Sequence, residues 1–238
     1  MAGLTFPVQV ARLDNPTGTS VEALALENAL VEIVDAGTLR LNTLLGMVTL
    51  TEAGGNWTGS SGGLDYEVDL NDDLLPFDSH VFGLRVSYSH ASGGGLAQGV
   101  FGYETSAQAL QSLIDGDVVI GYSGNSEAVV VQGGNIPITV TGTSIVVVDF
   151  GSGAVTGSVF NGGNTTIQIV DGQLSGGTIS GGVAVAVPPG ETASTDPGSS
   201  FVGRTYGQSG FQAGGVFSGT GVLNGNDLDF AGSFAGFD

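Results

Sequence analysis

Ile145-Val146-Val147-Val148-Asp149-Phe150-Gly151-Ser152-Gly153-Ala154-Val155-Thr156-Gly157-Ser158-Val159 is the stretch on which the fold turns. A β-branched run ends in an aromatic, a glycine–serine–glycine break follows, and a second β-forming run resumes at once. β-Branched and aromatic residues favour a pleated, half-buried surface and glycine punctuates it, so the stretch reads as two antiparallel strands and a hairpin turn. A phosphate loop is excluded, because the glycines have no lysine beside them and lead into a strand rather than a helix. The same rhythm runs on through residues 172–177, Phe201-Val202-Gly203-Arg204-Thr205-Tyr206-Gly207, Gly214-Gly215-Val216-Phe217-Ser218-Gly219 and Phe230-Ala231-Gly232-Ser233-Phe234. The last ninety or so residues therefore predict a meander of antiparallel strands.

The order of these pieces resembles the C-terminal β-barrel of the transferrin-binding protein B superfamily. The pieces that carry the resemblance are Val148 to Gly157, Gly172 to Gly177, Phe201 to Gly207, Gly214 to Gly219 and Ser233 to Gly236, with Phe101-Gly102-Tyr103-Glu104-Thr105 as an entry to the barrel. The resemblance covers about residues 80 to 238. It implies an eight-stranded barrel in a secreted or cell-surface, non-enzymatic bacterial protein whose loops bind a partner: a host or environmental macromolecule, or haem. The chain departs from the lipoprotein members in having no cysteine to carry a lipid.

Residues 1–79 form a separate β-rich subregion in this reading, with the boundary at Asn71-Asp72-Asp73-Leu74-Leu75-Pro76, a loop signal. Thr19-Ser20 followed by Val21-Glu22-Ala23-Leu24-Ala25-Leu26 predicts a helical turn or short helix near residues 20–28, then strands; the rival reading is a hairpin of residues 29–34 and 38–41 across Asp35-Ala36-Gly37. Leu64, Tyr66, Val68 and Leu70 alternate with Asp65, Glu67 and Asp69, a half-buried strand. Trp57 reads as a core or strand-edge anchor. His80 to His90 predicts a long strand, and Thr105-Ser106 caps a short helix over 107–114 that ends at Gly116. The segment 187–198, with three prolines, is an exposed loop. The fold class expected is all-β and mostly antiparallel, with a C-terminal eight-stranded barrel, an N-terminal β-rich subregion and one or two short helices.

There are 23 acids against four arginines and no lysine, for a net charge of −19. That field repels phosphate backbones and anionic lipid, which excludes nucleic acid as a partner class. Without cysteine there are no disulfides, thiolate metal sites or thiol nucleophiles. The first residues carry neither a basic region nor an apolar core of signal-peptide length, and no apolar run spans a bilayer. The glycine-rich, lysine-free composition points to an extracellular or cell-surface protein exported by a type I-like route.

Chemistry-bearing candidates are few. His80 and His90 lie roughly 33 Å apart on one extended strand, so they share no ion. His90, with Tyr88 or Tyr103, is the haem candidate. Calcium candidates are the acid pairs Asp72 with Asp73 and Asp227 with Asp229; the second pair sits in Gly225-Asn226-Asp227-Leu228-Asp229, which reads as half of a calcium-binding repeat. Gly59-Ser60-Ser61-Gly62-Gly63 fits a nucleophile elbow by spelling alone, since no helix follows it. A non-enzymatic binder is the expectation, with loops 71–79, 91–95 and 187–200 as contacts. The alternative is a structural subunit that assembles into a fibre, layer or matrix, donating terminal strands Thr5 to Ala11 or Leu228 to Phe237 to a neighbour.

Overall fold

The computed structural model describes residues 3–15, 22–43, 46–53, 56–71, 81–90, 93–135 and 137–238. Eight strands come first: β1 (Leu4–Asn15), β2 (Glu22–Asp35), β3 (Thr38–Thr43), β4 (Gly46–Ala53), β5 (Asn56–Ser61), β6 (Leu64–Asn71), β7 (Val81–His90) and β8 (Gly93–Gly102). Each pairs antiparallel with the next, and β8 returns to β1 from Gln9↔Val100 to Asn15↔Gly94, closing an up-and-down barrel. Alternation fills it: Phe6, Val8, Leu39, Leu41, Val48, Leu50, Tyr66 and Val68 are buried inside, and Trp57 packs partly buried against them.

The linker after β8 leads to α1 (Ala107–Asp115) and a second set: β9 (Val119–Gln132), β10 (Ile138–Asp149), β11 (Ala154–Gly162), β12 (Thr165–Ser175), β13 (Thr178–Ala186), β14 (Ala193–Thr195), β15 (Ser200–Tyr206), β16 (Gln212–Leu223) and β17 (Asn226–Phe237). They close into a second ring, β9-β10-β11-β12-β13-β15-β16-β17, with β17 paired to both β16 and β9. The Ser106 hydroxyl caps α1 by accepting from the Ala109 N–H at 3.2 Å. Leu110, Leu113 and Ile114 of α1 pack into the second core and plug one end of its barrel.

Several expectations are corrected by this topology. The N-terminal region is a complete barrel, and it extends past residue 79 because β7 and β8 supply its closing strands. The acidic segment that suggested a boundary only joins β6 to β7, which are neighbours in register from Asp65↔Ser89 to Asn71↔Gly83. The division falls instead at the linker around Tyr103 to Ser106. Residues 22–28 are strand, not helix: Ala23↔Leu13 and Leu24↔Arg12 place them in the ring, and closure outweighs the helix propensity of alanine, leucine and glutamate.

Within segment 187–200, Ala193–Thr195 is a short strand, because it meets the edge of β16 at residues 221–223, beyond the stretch that β15 covers. The supposed calcium half-repeat is a hairpin turn, with Asn224 at φ 51° and Gly225 at φ 80°, the two left-handed positions of a type I′ connection. Strand β17 is used on both edges, by β16 and β9, so it is no open donor; β1 pairs with β2 from Leu4 to Asp14 and with β8 over Gln9 to Asn15, which closes the second half of the proposed donor segment.

Candidate binding surface

Outward-facing residues of a closed barrel normally meet water. Here one side of each barrel meets the other instead. Ala11, Leu13 and Leu96 of the first barrel pack on Val129, Val202, Val216 and Ala231 of the second, and Val100 packs on Tyr206 and Ala235. Small residues on β16 and β17 let the two walls approach closely. A polar knot lies in this junction. Arg85 donates from Nε to Glu127 Oε1 at 2.9 Å and from Nη2 to Oε2, and Gln98 Nε2 donates to the same carboxylate at 2.5 Å. Ser233 completes it by donating to the Gln98 amide oxygen at 3.4 Å. A carboxylate that is 6% exposed has its acceptors filled from across the junction, as a buried charge requires.

Nearer the start of β9 the same wall runs out from under the first barrel. One rung there crosses three strands, Ile145↔Ser123↔Phe237, and paired residues share a face. Ile145 is 51% exposed, Phe237 43%, Val119 59% and Phe211 55%. Val147↔Gly121 and Asp149↔Val119 continue this outward surface, and Phe211 lies beside Phe237 because the Asp238 N–H donates to the Phe211 carbonyl at 3.0 Å. Asp149 accepts from the Ser152 N–H at 3.0 Å, which holds its carboxyl below the usual carboxylate range and keeps it charged. Arg204, near this end, is engaged by Glu104 at 2.9 Å. The result is an apolar surface with an acidic border, suited to a partner presenting apolar side chains among lysines or arginines.

The residues singled out for haem are not brought together. Tyr88 and His90 sit at the far end of β7, opposite Gly95 and Gly93, whereas Tyr103 follows β8 at its other end. Ten residues of strand separate those levels, roughly 30 Å. The side chains of Tyr88 and His90, and all of Asp72 and Asp73, lie outside the described residues. The Tyr103 ring packs edge-on against Phe6 at 5.4 Å. Asp227 and Asp229 face outward on β17, and no group of three or more histidines, cysteines or acids gathers to hold a metal among the described residues. Ile145 and Phe237 gave no warning in the sequence. A run such as Ile145-Val146-Val147-Val148 has no polar alternate, so parity cannot say which side chains face out.

No protein-family model matches the chain, and no curated protein matches it. Solved structures do. Transferrin-binding protein B from Haemophilus parasuis, in a tryptophan-to-alanine mutant, aligns with a TM-score of 0.53 at 14% identity, over 97% of this chain and 46% of that one. Isotype 1 transferrin-binding protein B from serogroup B Neisseria meningitidis gives 0.52 at 14% identity, over 97% and 43%. The haemoglobin receptor HpuA from Kingella denitrificans gives 0.42 at 13%, over 98% and 85%. The chain spans a little under half the length of the two transferrin-binding proteins. At these identities the likeness is one of fold, and the fold is transferrin-binding-protein-B-like.

Proposed function

We propose that this chain is a non-enzymatic binding module of the cell surface or extracellular space, and that it docks a basic protein partner on the outer wall of its second barrel. The observation that carries this reading is the exposed rung Ile145↔Ser123↔Phe237 with Val119 and Phe211 beside it. Four large apolar side chains held in the open, three by strands and Phe211 at the entry to β16, cost the free protein solubility and serve a contact. A charge of −19 supplies attraction for a partner of opposite sign and repels nucleic acid and acidic lipid. Two of the proteins named above are transferrin-binding proteins, so transferrin is tried on the ground of fold, beside a basic protein on the ground of charge.

The test is calorimetric titration of the chain with transferrin and with hen lysozyme as a basic reference protein, over a salt series. Binding that weakens as salt rises and as the Debye length shrinks supports the reading. Absence of binding by both proteins at low salt, with the chain at about 100 μM where a Kd near that value would register, contradicts it.

A further inference from the structure

The second barrel is plugged at one end and open at the other. At the plugged end lie α1 and the Tyr122 hydroxyl, which donates to the Gly210 carbonyl at 2.6 Å. At the opposite end, inside the ring, the inward side chains stop short of filling the mouth and leave a cavity of about 200 Å³. Phe160 and Phe230 form its floor, each packed on Phe217 with ring centroids 6.4 Å apart. Val130, Val140 and Ile167 stand in its walls, and Ile138, 59% exposed, stands at the rim. Of the thirteen residues that line it none is charged, and Gln132 and Thr165 are the polar side chains among them. Gln132 is fixed there by donating to the Leu223 carbonyl at 3.0 Å.

The depth of the cavity is set by the rings beneath it. Glycines stand where a larger residue would push those rings: a Cβ on Gly219 would meet Phe230 Cζ at 2.5 Å, and one on Gly232 would meet Phe217 Cζ at 2.3 Å. The aromatic tier is therefore a fixed floor. Walls facing an unfilled apolar space forfeit dispersion contacts that a ligand of the right size would restore.

We propose that this mouth binds a small neutral hydrocarbon-like molecule of one or two fused rings. An apolar protein cavity of about 150 Å³ takes benzene, so a mouth of about 200 Å³ takes a somewhat larger ring system. An anionic version of the same molecule is disfavoured twice: the lining offers no cation, and the chain carries −19. The mouth opens beside Ile138, at the opposite end of β10 from Asp149 and the outward protein-docking surface, so the two sites stand or fall separately.

The experiment is a titration of the ¹³C-methyl-labelled protein with naphthalene and, in parallel, with 2-naphthoate. Naphthalene is expected to shift the methyls of Val130, Ile138, Val140 and Ile167 saturably, with a Kd of roughly tens of micromolar. 2-Naphthoate is expected to bind at least about tenfold more weakly, the cost of burying its unpaired charge. Val140→Phe fills the mouth and should weaken naphthalene binding by about tenfold or more. Should Val140→Phe fail to fold, Ile138→Glu decides, because Ile138 is exposed and a charge at the rim opposes entry of an apolar ring. Shifts confined to other methyls, 2-naphthoate binding as tightly as naphthalene, or wild-type affinity in folded Val140→Phe or Ile138→Glu would each overturn the proposal.

Discussion

The Arg85 guanidinium of the first barrel forks onto the Glu127 carboxylate of the second, with Nε 2.9 Å from Oε1 and Nη2 bonded to Oε2. Glu127 sits on the outward face of β9 beside Val129 and Val131, so the pair fastens two finished barrels wall to wall. Glu127→Ala leaves the Gln98 amide and the Arg85 fork without their acceptor. We expect a loss of about 1–3 kcal/mol; the lower part of the buried-pair range applies because water reaches the Arg85 side chain. Urea denaturation measures it. The double change Arg85→Met with Glu127→Met should recover part of the loss, since two apolar side chains leave no orphaned charge.

The glycines of β16 and β17 make a second prediction. Gly232→Ala places a methyl 2.3 Å from Phe217 Cζ and 2.4 Å from the Glu127 carbonyl, in a wall buried on both sides. A loss of about 2 kcal/mol or more is expected in thermal or urea unfolding. Gly121→Ala is the matched control: its Cβ meets nothing within 4 Å, and its stability should stay within about 0.5 kcal/mol of wild type.

How much of this was legible in the sequence depends on which signal each element carried. Helix α1 could be read because the pair Thr105-Ser106, Gly116 and the one-sided set Leu110, Leu113 and Ile114 all agree, with Ser106 the member that caps. The alternation of Leu64 to Leu70 gave β6 its register for the same reason. Residues 22–28 misled because good helix formers were recruited into a strand whose partners on β1 lie eight to nineteen residues away, beyond the reach of a helical pattern. The first barrel was read only as a β-rich subregion ending at residue 79 because its closing pair, β1 with β8, joins residues about eighty to ninety apart, and an acidic proline-bearing connection lies between them. The candidate surface could not be read at all. Its outward residues lie in runs where inside and outside are equally apolar, and only the position of the neighbouring barrel decides which of them stay exposed.

Tyr122 and Tyr206 supply a pH prediction. Burial raises both phenols above their ordinary range, with the charges of Asp238 and Glu104 adding to it. A raised phenol holds its proton in the folded chain above about pH 10, where the unfolded chain releases it. The folded state then binds more protons, so stability is full below about pH 10 and falls as pH rises beyond it. Denaturation midpoints across that interval should fall, and Tyr122→Phe should flatten part of the slope. Tyrosinate absorbance from all five tyrosines with the fold intact would contradict this.

Deletion of residues 1–11 separates the binding reading from the fibre reading. The deletion removes most of β1, which holds β2 on one edge and β8 on the other. The intact chain should be monodisperse by light scattering at low and high calcium. The truncated chain should lose the first barrel's cooperative unfolding and associate through its two newly open edges. Calcium-dependent growth of the intact chain, abolished by the deletion, would restore the structural-subunit alternative.

The central claim rests on the outer wall of the second barrel, and one comparison tests it most directly. Ile145→Glu changes a side chain that is 51% exposed, so the fold should be untouched, while a charge enters the middle of the apolar rung. Titrated with the basic protein that wild type binds, Ile145→Glu should lose affinity by about tenfold or more, about 1.4 kcal/mol, with an unchanged unfolding curve. Wild-type affinity in a folded Ile145→Glu protein would show that the partner docks elsewhere, and would contradict the account.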